Sequence, residues 1–168
     1  MSKMFYVVLY GFLGWILERI INLTFMGEWY DNRVLFTFVQ PMYGVGVVLT
    51  LIGYEIIKER IDKTFFIVLL TIVFGVLFTG LSEWISGIGY EYLYNDILWD
   101  YGMTFPSCTY PYVCFIPTTI FGIISAFTVL YIHPHIDAFA RMIPKWFKIA
   151  IVVIVGIDFL WTYLSVIL

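Results

Sequence analysis

Four ionisable residues stand where the chain is otherwise apolar. Glu18 and Arg19 sit side by side in "GFLGWILERI", Glu83 lies in "TGLSEWISGIG", and Asp158 in "IVGIDFLWTY". Placing a charged side chain at bilayer depth costs at least ~2.5 kcal/mol on insertion scales, so such residues mark candidate ion or solute paths. A carboxyl in that position can also avoid the cost by holding a proton. General acid–base chemistry on a lipid or lipid-linked substrate is a further use of paired acids. It needs a nucleophile, a metal or a phosphate cradle, and Ser82 beside Glu83 is the only nearby hydroxyl of note, with no base at hand to activate it.

The elements that must carry these residues follow from composition. The chain has 168 residues, 62% hydrophobic and only 12% charged, against about 25% charged in a soluble domain. Five segments approach the ~20 apolar residues that a bilayer span requires: 4–25, 34–54, 64–90, 110–132 and 146–168. They are predicted to be helices, since lipid offers no partner for an open backbone and the alternation of barrel strands is missing. The expected fold is an all-α integral membrane protein forming a single transmembrane domain over 1–168. Lys3 before the first apolar run resembles a signal-peptide start, but no A-x-A site follows, so this run is kept as a membrane helix.

Helical geometry then sets directions. At 3.6 residues per turn, Gly11, Gly14, Trp15, Glu18 and Asn22 share one face of the first helix. On the third, Gly75, Thr79, Glu83 and Gly87 recur at four-residue steps. Small residues at this spacing let helices approach closely, which turns both glutamates into the bundle. Asp158 shares a face with Thr162 and Ser165. Glu18, Glu83 and Asp158 are therefore candidates to line a polar path. Arg19, pointing about 100° away from Glu18, would reach a carboxylate on another helix, Glu83 being the candidate, or snorkel outward. The competing reading is a buried structural network of Glu18, Arg19 and Glu83 with no substrate.

Two aromatic–acid clusters follow the first and third helices. Trp29, Tyr30, Trp99 and Tyr101 have the chemistry of an interfacial aromatic belt. Asp31 and Asp100 beside them would make an acidic outer vestibule, suited to cationic or amine-bearing ligands through charge and cation–π contact. Pro41 and Pro117 fit the opening turns of the second and fourth helices. Cys108 and Cys114 are six positions apart on the same outer side; an oxidising exterior would permit a disulfide, while Cys114 alternatively sits within the fourth helix as a small hydrophobe. No metal site is expected, since no histidine accompanies these cysteines; His133 and His135 read as interfacial residues. No cofactor is implied.

Lysine and arginine give an orientation. Lys3, the "KERIDK" loop, and Arg141, Lys145 and Lys148 fall on one side, so the positive-inside rule places the amino terminus in the cytoplasm and the carboxyl terminus outside. The net charge of −3 and the absence of a basic patch argue against nucleic acid.

The chain also echoes itself. "GFLGWILERIINL" followed by "GEWYDNR" parallels "GVLFTGLSEWISGIGYEYL" followed by "NDILWDYGM", and each is succeeded by a helix opened by proline and glycine, "QPMYGVG" and "IPTTIFG". Two parallel two-helix repeats with a fifth helix appended would give this pattern, as occurs in transporters.

"LYGFLGWILE", "QPMYGVG", "SEWISGIGYEYLYNDILWDY" and "YIHP" together resemble the bacterial family of ABC-transporter type IV, or CmpB-like, membrane proteins. The resemblance covers roughly residues 5–135 and implies a multi-pass bacterial plasma-membrane protein of the permease kind. It carries the family's positions onto Gly14, Trp15, Glu18, Pro41, Tyr43, Gly44, Gly46, Glu83, Trp99, Asp100 and Tyr101. Where the family has arginine before its cysteine, this chain has Tyr112 in "PYVC". No G-x-x-x-x-G-K-[ST] phosphate loop is present, so coupling to ATP would require a separate ATP-binding subunit. The expected function is movement of a small solute or ion through a path lined by intramembrane carboxylates, in a homo-oligomer or larger membrane complex, and not catalysis. A membrane-embedded enzyme and a non-transporting assembly or signalling subunit are the alternatives.

Overall fold

A computed structural model describes residues 2–27, 29 and 33–167. The described residues form helices and no strands: α1 (Ser2–Met26), α2 (Pro41–Lys58), α3 (Thr64–Tyr94), the single-turn α4 (Tyr101–Thr104), α5 (Phe115–Phe127), α6 (His133–Met142) and α7 (Lys145–Ile167). Five stretches, Lys3–Thr24, Pro41–Lys58, Thr64–Tyr94, Phe115–Met142 and Lys145–Val166, are long and apolar enough to cross a membrane.

Four of the helix boundaries that differ from the sequence-based expectation have a local reason. α2 opens at Pro41 and not at Val34; proline suits a first turn, where its missing N–H would be unsatisfied anyway. The apolar stretch before it is a loop. The fourth span opens at Phe115 and not at Tyr110, because Cys114 is drawn into an extended cap and a disulfide. It also continues beyond Ile132 to Met142, straight through Pro134. A proline ring inside a helix collides with the carbonyl four residues back. Here the turn Thr128–Ile132 is widened to π-helical form, with the His133 N–H donating to the Thr128 carbonyl, which makes room for the ring without ending the helix. The third span runs on to Tyr94, where Asn95 in the left-handed region (φ 51°) donates its N–H to the Glu91 carbonyl and closes the helix.

The chain forms two compact units, Met1–Gly44 with Pro144–Leu168, and Val45–Ile143. In the first, α1 pairs with α7. The glycine face of α1 receives the chain leading into α2: the Gln40 N–H donates to the Gly11 carbonyl at 3.1 Å. A Cβ at Gly14 would collide with Tyr43, and one at Gly44 with the Val7 carbonyl.

In the second unit α3 pairs with α5 through Gly75 and Gly122. A Cβ at Gly75 would run into the Gly122 carbonyl, and one at Gly122 would sit 2.5 Å from the Val76 backbone. The buried face of α3 carries no large apolar side chain, consisting of Thr71, Gly75, Thr79, Ser82, Glu83 and Gly87. The bulky residues Leu69, Val73, Leu77, Leu81, Trp84 and Ile88 are exposed. This polar-inside, apolar-outside arrangement inverts a soluble helix and is what lipid demands: large hydrocarbon outward, small residues where backbones meet.

Candidate functional site

Glu83 belongs to the second unit and is only 2% exposed. Its two carboxylate oxygens are taken by two hydroxyls: Tyr101 donates to Oε1 at 2.6 Å, and Thr118 to Oε2 at 2.8 Å. A carboxylate buried this deeply needs such donors, because an unsatisfied charged group costs more than a neutral one.

Local structure explains how each donor arrives. Thr118 stands in the first turn of α5, its own N–H bonded to the Cys114 carbonyl at 2.9 Å, with Pro117 buried beside it. Tyr101 opens α4. Asp100 caps this turn by accepting from the Gly102 N–H at 2.7 Å, and the Tyr101 N–H donates to the Pro111 carbonyl at 2.9 Å. Trp99 lies edge-on against Tyr112, with ring centroids 5.8 Å apart, and its indole N–H reaches the Tyr112 carbonyl at 3.4 Å. Cys108 and Cys114 are joined by a disulfide, their Cα atoms 5.4 Å apart. It ties the turn after α4 to the start of α5, and so braces the strips of chain that bear both donors. A cavity of about 390 Å³ opens on this bridge, lined by residues 107–110 and 113–116.

A second acid–tyrosine pair flanks the first. Tyr112, 1% exposed, donates its hydroxyl to Glu91 at 2.5 Å. Burial above all, then the hydrogen bond to Glu91 and its negative charge, push the Tyr112 hydroxyl up to about 12.

Asp158 belongs to the first unit, and its surroundings differ in kind. The N–H groups of Phe36 and Thr37 donate to its two oxygens at 3.3 and 2.7 Å, and the Thr37 hydroxyl adds a bond of 2.6 Å. Thr162, one turn on, donates at 3.3 Å. Ser165 donates to the Thr162 carbonyl at 3.0 Å. The carboxylate thus gathers the backbone of the loop before α2.

Arg19, in the same unit, is 1% exposed and lies 5.5 Å from the Trp15 ring centroid, within cation–π reach. Glu18 beside it is half-buried. The Trp15 ring meets Phe38 edge-on at 5.1 Å. Trp29 is exposed, while Tyr30 and Asp31 lie outside the described residues. Among the described residues no group of three or more His, Cys, Asp and Glu could hold a metal ion.

With this arrangement in view, the family is decisive. A family model described as "Putative ABC-transporter type IV" matches residues 5–166. The chain belongs to that family. No curated protein and no solved structure matches it. As a member of the type IV family the chain is a multi-pass membrane protein of ABC-transporter type. At Tyr112, where the family resemblance expects arginine, a hydroxyl donates to Glu91.

Thr118, Tyr112 and Glu91 were not singled out as site residues by the sequence. Thr118 had a readable signal: with Gly122 it continues, at four-residue spacing, the same small and hydroxyl-bearing pattern that flags Gly75, Thr79 and Glu83 on α3. For the Tyr112–Glu91 pair the sequence carries no comparable spacing.

Proposed function

We propose that this protein is the membrane-embedded permease component of a bacterial plasma-membrane transporter, and that a small solute or ion passes along the hydroxyl-rich interior of α3 beside Glu83. The observation that carries this reading is the buried face Thr71, Gly75, Thr79, Ser82, Glu83 and Gly87, met by Thr118 and Gly122 on α5, while buried Ser125 donates to Thr50 on α2. A helix pair selected only for packing has no need of an acid and this many hydroxyls in its interior, where each polar group costs free energy unless hydrogen-bonded. Tyr101 holds the acid from its outer end, and Trp99 and Asp100 fix the turn that carries Tyr101; Glu18, Arg19 and Asp158 are separate candidate positions within the first unit.

ATP would act through a separate subunit docked on the cytoplasmic loops, "KERIDK" and the segment from Pro134 to Lys148, with the amino terminus inside and the carboxyl terminus outside. Five helices barely enclose a route, so a homo-oligomer or larger complex completes it.

Thiol accessibility tests the path directly. Both native cysteines are in the disulfide and none is free, so an introduced cysteine is the sole reactive thiol. Thr79→Cys and Ser125→Cys should react with a small water-soluble methanethiosulfonate in native membranes, and the lipid-facing Leu77→Cys should not. Interior positions as inert as Leu77→Cys would favour the non-transporting subunit. Native mass spectrometry of the gently solubilised particle tests the ATP-binding partner: a stoichiometric ATPase supports it, and its absence removes stable ATP coupling.

A further inference from the structure

Most glycines at helix contacts in the second unit are there for close approach. A Cβ at Gly75 or Gly122 would strike backbone, one at Gly53 the Phe74 ring, and one at Gly87 the Tyr112 ring. Gly46 differs. A Cβ built there would stand 3.5 Å from Thr79 Cα, 3.6 Å from Thr79 Oγ1 and 3.7 Å from Ser82 Oγ, all ordinary contacts. The glycine therefore leaves a methyl-sized space between α2 and α3 that close packing does not require, and two hydroxyl oxygens border it.

One of those hydroxyls is unsatisfied. Ser82 is 7% exposed, and its Oγ is buried without a hydrogen-bond partner among the described residues. Its neighbours show how unusual this is: Thr71 donates to the Ile67 carbonyl at 2.7 Å, Thr50 to the Gly46 carbonyl at 2.8 Å, and Ser125 to Thr50 at 3.0 Å. Buried hydroxyls are expected to be paired with protein or with ordered water. A water is held where a polar space supplies two or more partners. The Ser82 and Thr79 hydroxyls are two such partners. Both are neutral, which suits a neutral ligand better than a divalent cation, whose shell takes six or more oxygens.

We propose that the space at Gly46 binds one water molecule, hydrogen-bonded to Ser82 and Thr79. Thr79 and Ser82 precede Glu83 by four residues and by one on the same buried face, so a water between them lies within about 6 Å of the acid along α3 at 1.5 Å per residue. It satisfies Ser82 and places an exchangeable proton carrier in the hydroxyl row beside Glu83. The inference rests on the geometry of this contact alone and stands whether or not the protein transports.

Its test is the sign of two stability changes in lipid nanodiscs. In a dry contact, Gly46→Ala fills empty space and Ser82→Ala removes an orphaned hydroxyl, so each raises Tm, and the two effects add. With a bound water, Gly46→Ala expels it and strands Ser82, while Ser82→Ala removes one of its partners. Each single change then lowers Tm, by roughly 2–4 °C for a protein of this size. The double variant falls less than the sum of the two, because the water can be lost only once. Any other pattern of signs, or additivity, overturns the proposal. Should a variant fail to fold, the wild type decides it by electron cryomicroscopy at a resolution that shows ordered water. A density peak bridging Ser82 and Thr79 supports the site, and its absence overturns it.

Discussion

Thr118 on α5 donates its hydroxyl to Oε2 of Glu83 on α3 at 2.8 Å, and both residues are buried. The bond joins the most costly side chain in the second unit to the helix packed against it. A carboxylate so placed is positioned by α5 as firmly as by its own helix. Tyr101 closes the other oxygen from α4, so the acid is held between two neutral donors on separate elements.

Two substitutions separate the role of the charge from the role of the scaffold. Glu83→Gln keeps the volume and the acceptor oxygen facing one hydroxyl. The protein is expected to insert and fold while losing solute movement in reconstituted vesicles. Thr118→Val keeps the shape and removes a donor, leaving one carboxylate oxygen short of a partner. It is expected to cost about 1–3 kcal/mol, read by reversible denaturation in mixed micelles. Unfolding of Glu83→Gln would instead make the acid a structural element.

The glycine contact gives a second prediction. At Gly122 a Cβ would approach the Val76 backbone at 2.5 Å, and backbone cannot step aside as a flexible side chain can. Gly122→Ala is therefore expected to destabilise the protein by about 1–3 kcal/mol, the range for overpacking. Gly156 on α7 has no neighbour within 4 Å of the same position, so Gly156→Ala should be neutral or slightly stabilising. Equal effects at the two sites would show that helix propensity, not the α3–α5 contact, governs both.

What the sequence revealed and what it concealed divide along physical lines. Five spans were legible because lipid imposes a length and a polarity that few other solvents do, and Glu83 was legible because Gly75 and Thr79 mark its face. The start of α2 was hidden: "VLFTFV" is as apolar as a helix, and only Asp158, over a hundred positions later, shows that Phe36 and Thr37 give their N–H groups to a carboxylate. The passage of a helix through Pro134 was hidden as well, since a widened turn is a property of the backbone that no residue type announces. Tyr101 was marked as a vestibule residue, but its reach to Glu83 depends on the fold of the intervening loop, which spacing does not encode.

Asp158 yields the third prediction. It accepts two backbone N–H groups and one hydroxyl from Phe36 and Thr37, and hydrogen bonds to a charged group contribute about 1.5–3 kcal/mol. Asp158→Ala should lower stability by that order and speed amide hydrogen exchange at Phe36 and Thr37, leaving the amides of α3 unchanged. Thr162→Val should do much less, because its bond is long at 3.3 Å. Exchange at Phe36 and Thr37 that is indifferent to Asp158→Ala would refute the anchoring role.

The last prediction concerns pH. The Tyr112 hydroxyl is pushed up to about 12 by burial and by the adjacent Glu91, above the ordinary tyrosine value of about 10. A group whose folded pKa is raised stabilises the fold in full below its unfolded pKa, and that contribution is lost as pH rises through the folded pKa. The stability difference between wild type and Tyr112→Phe should therefore be flat from neutral pH to about 10 and shrink as pH approaches 12. In a phenolate absorbance titration, the wild-type-minus-Tyr112→Phe difference should show one tyrosine ionising near 12. A difference curve centred at the ordinary value would mean that Tyr112 is open to water and does not hold Glu91.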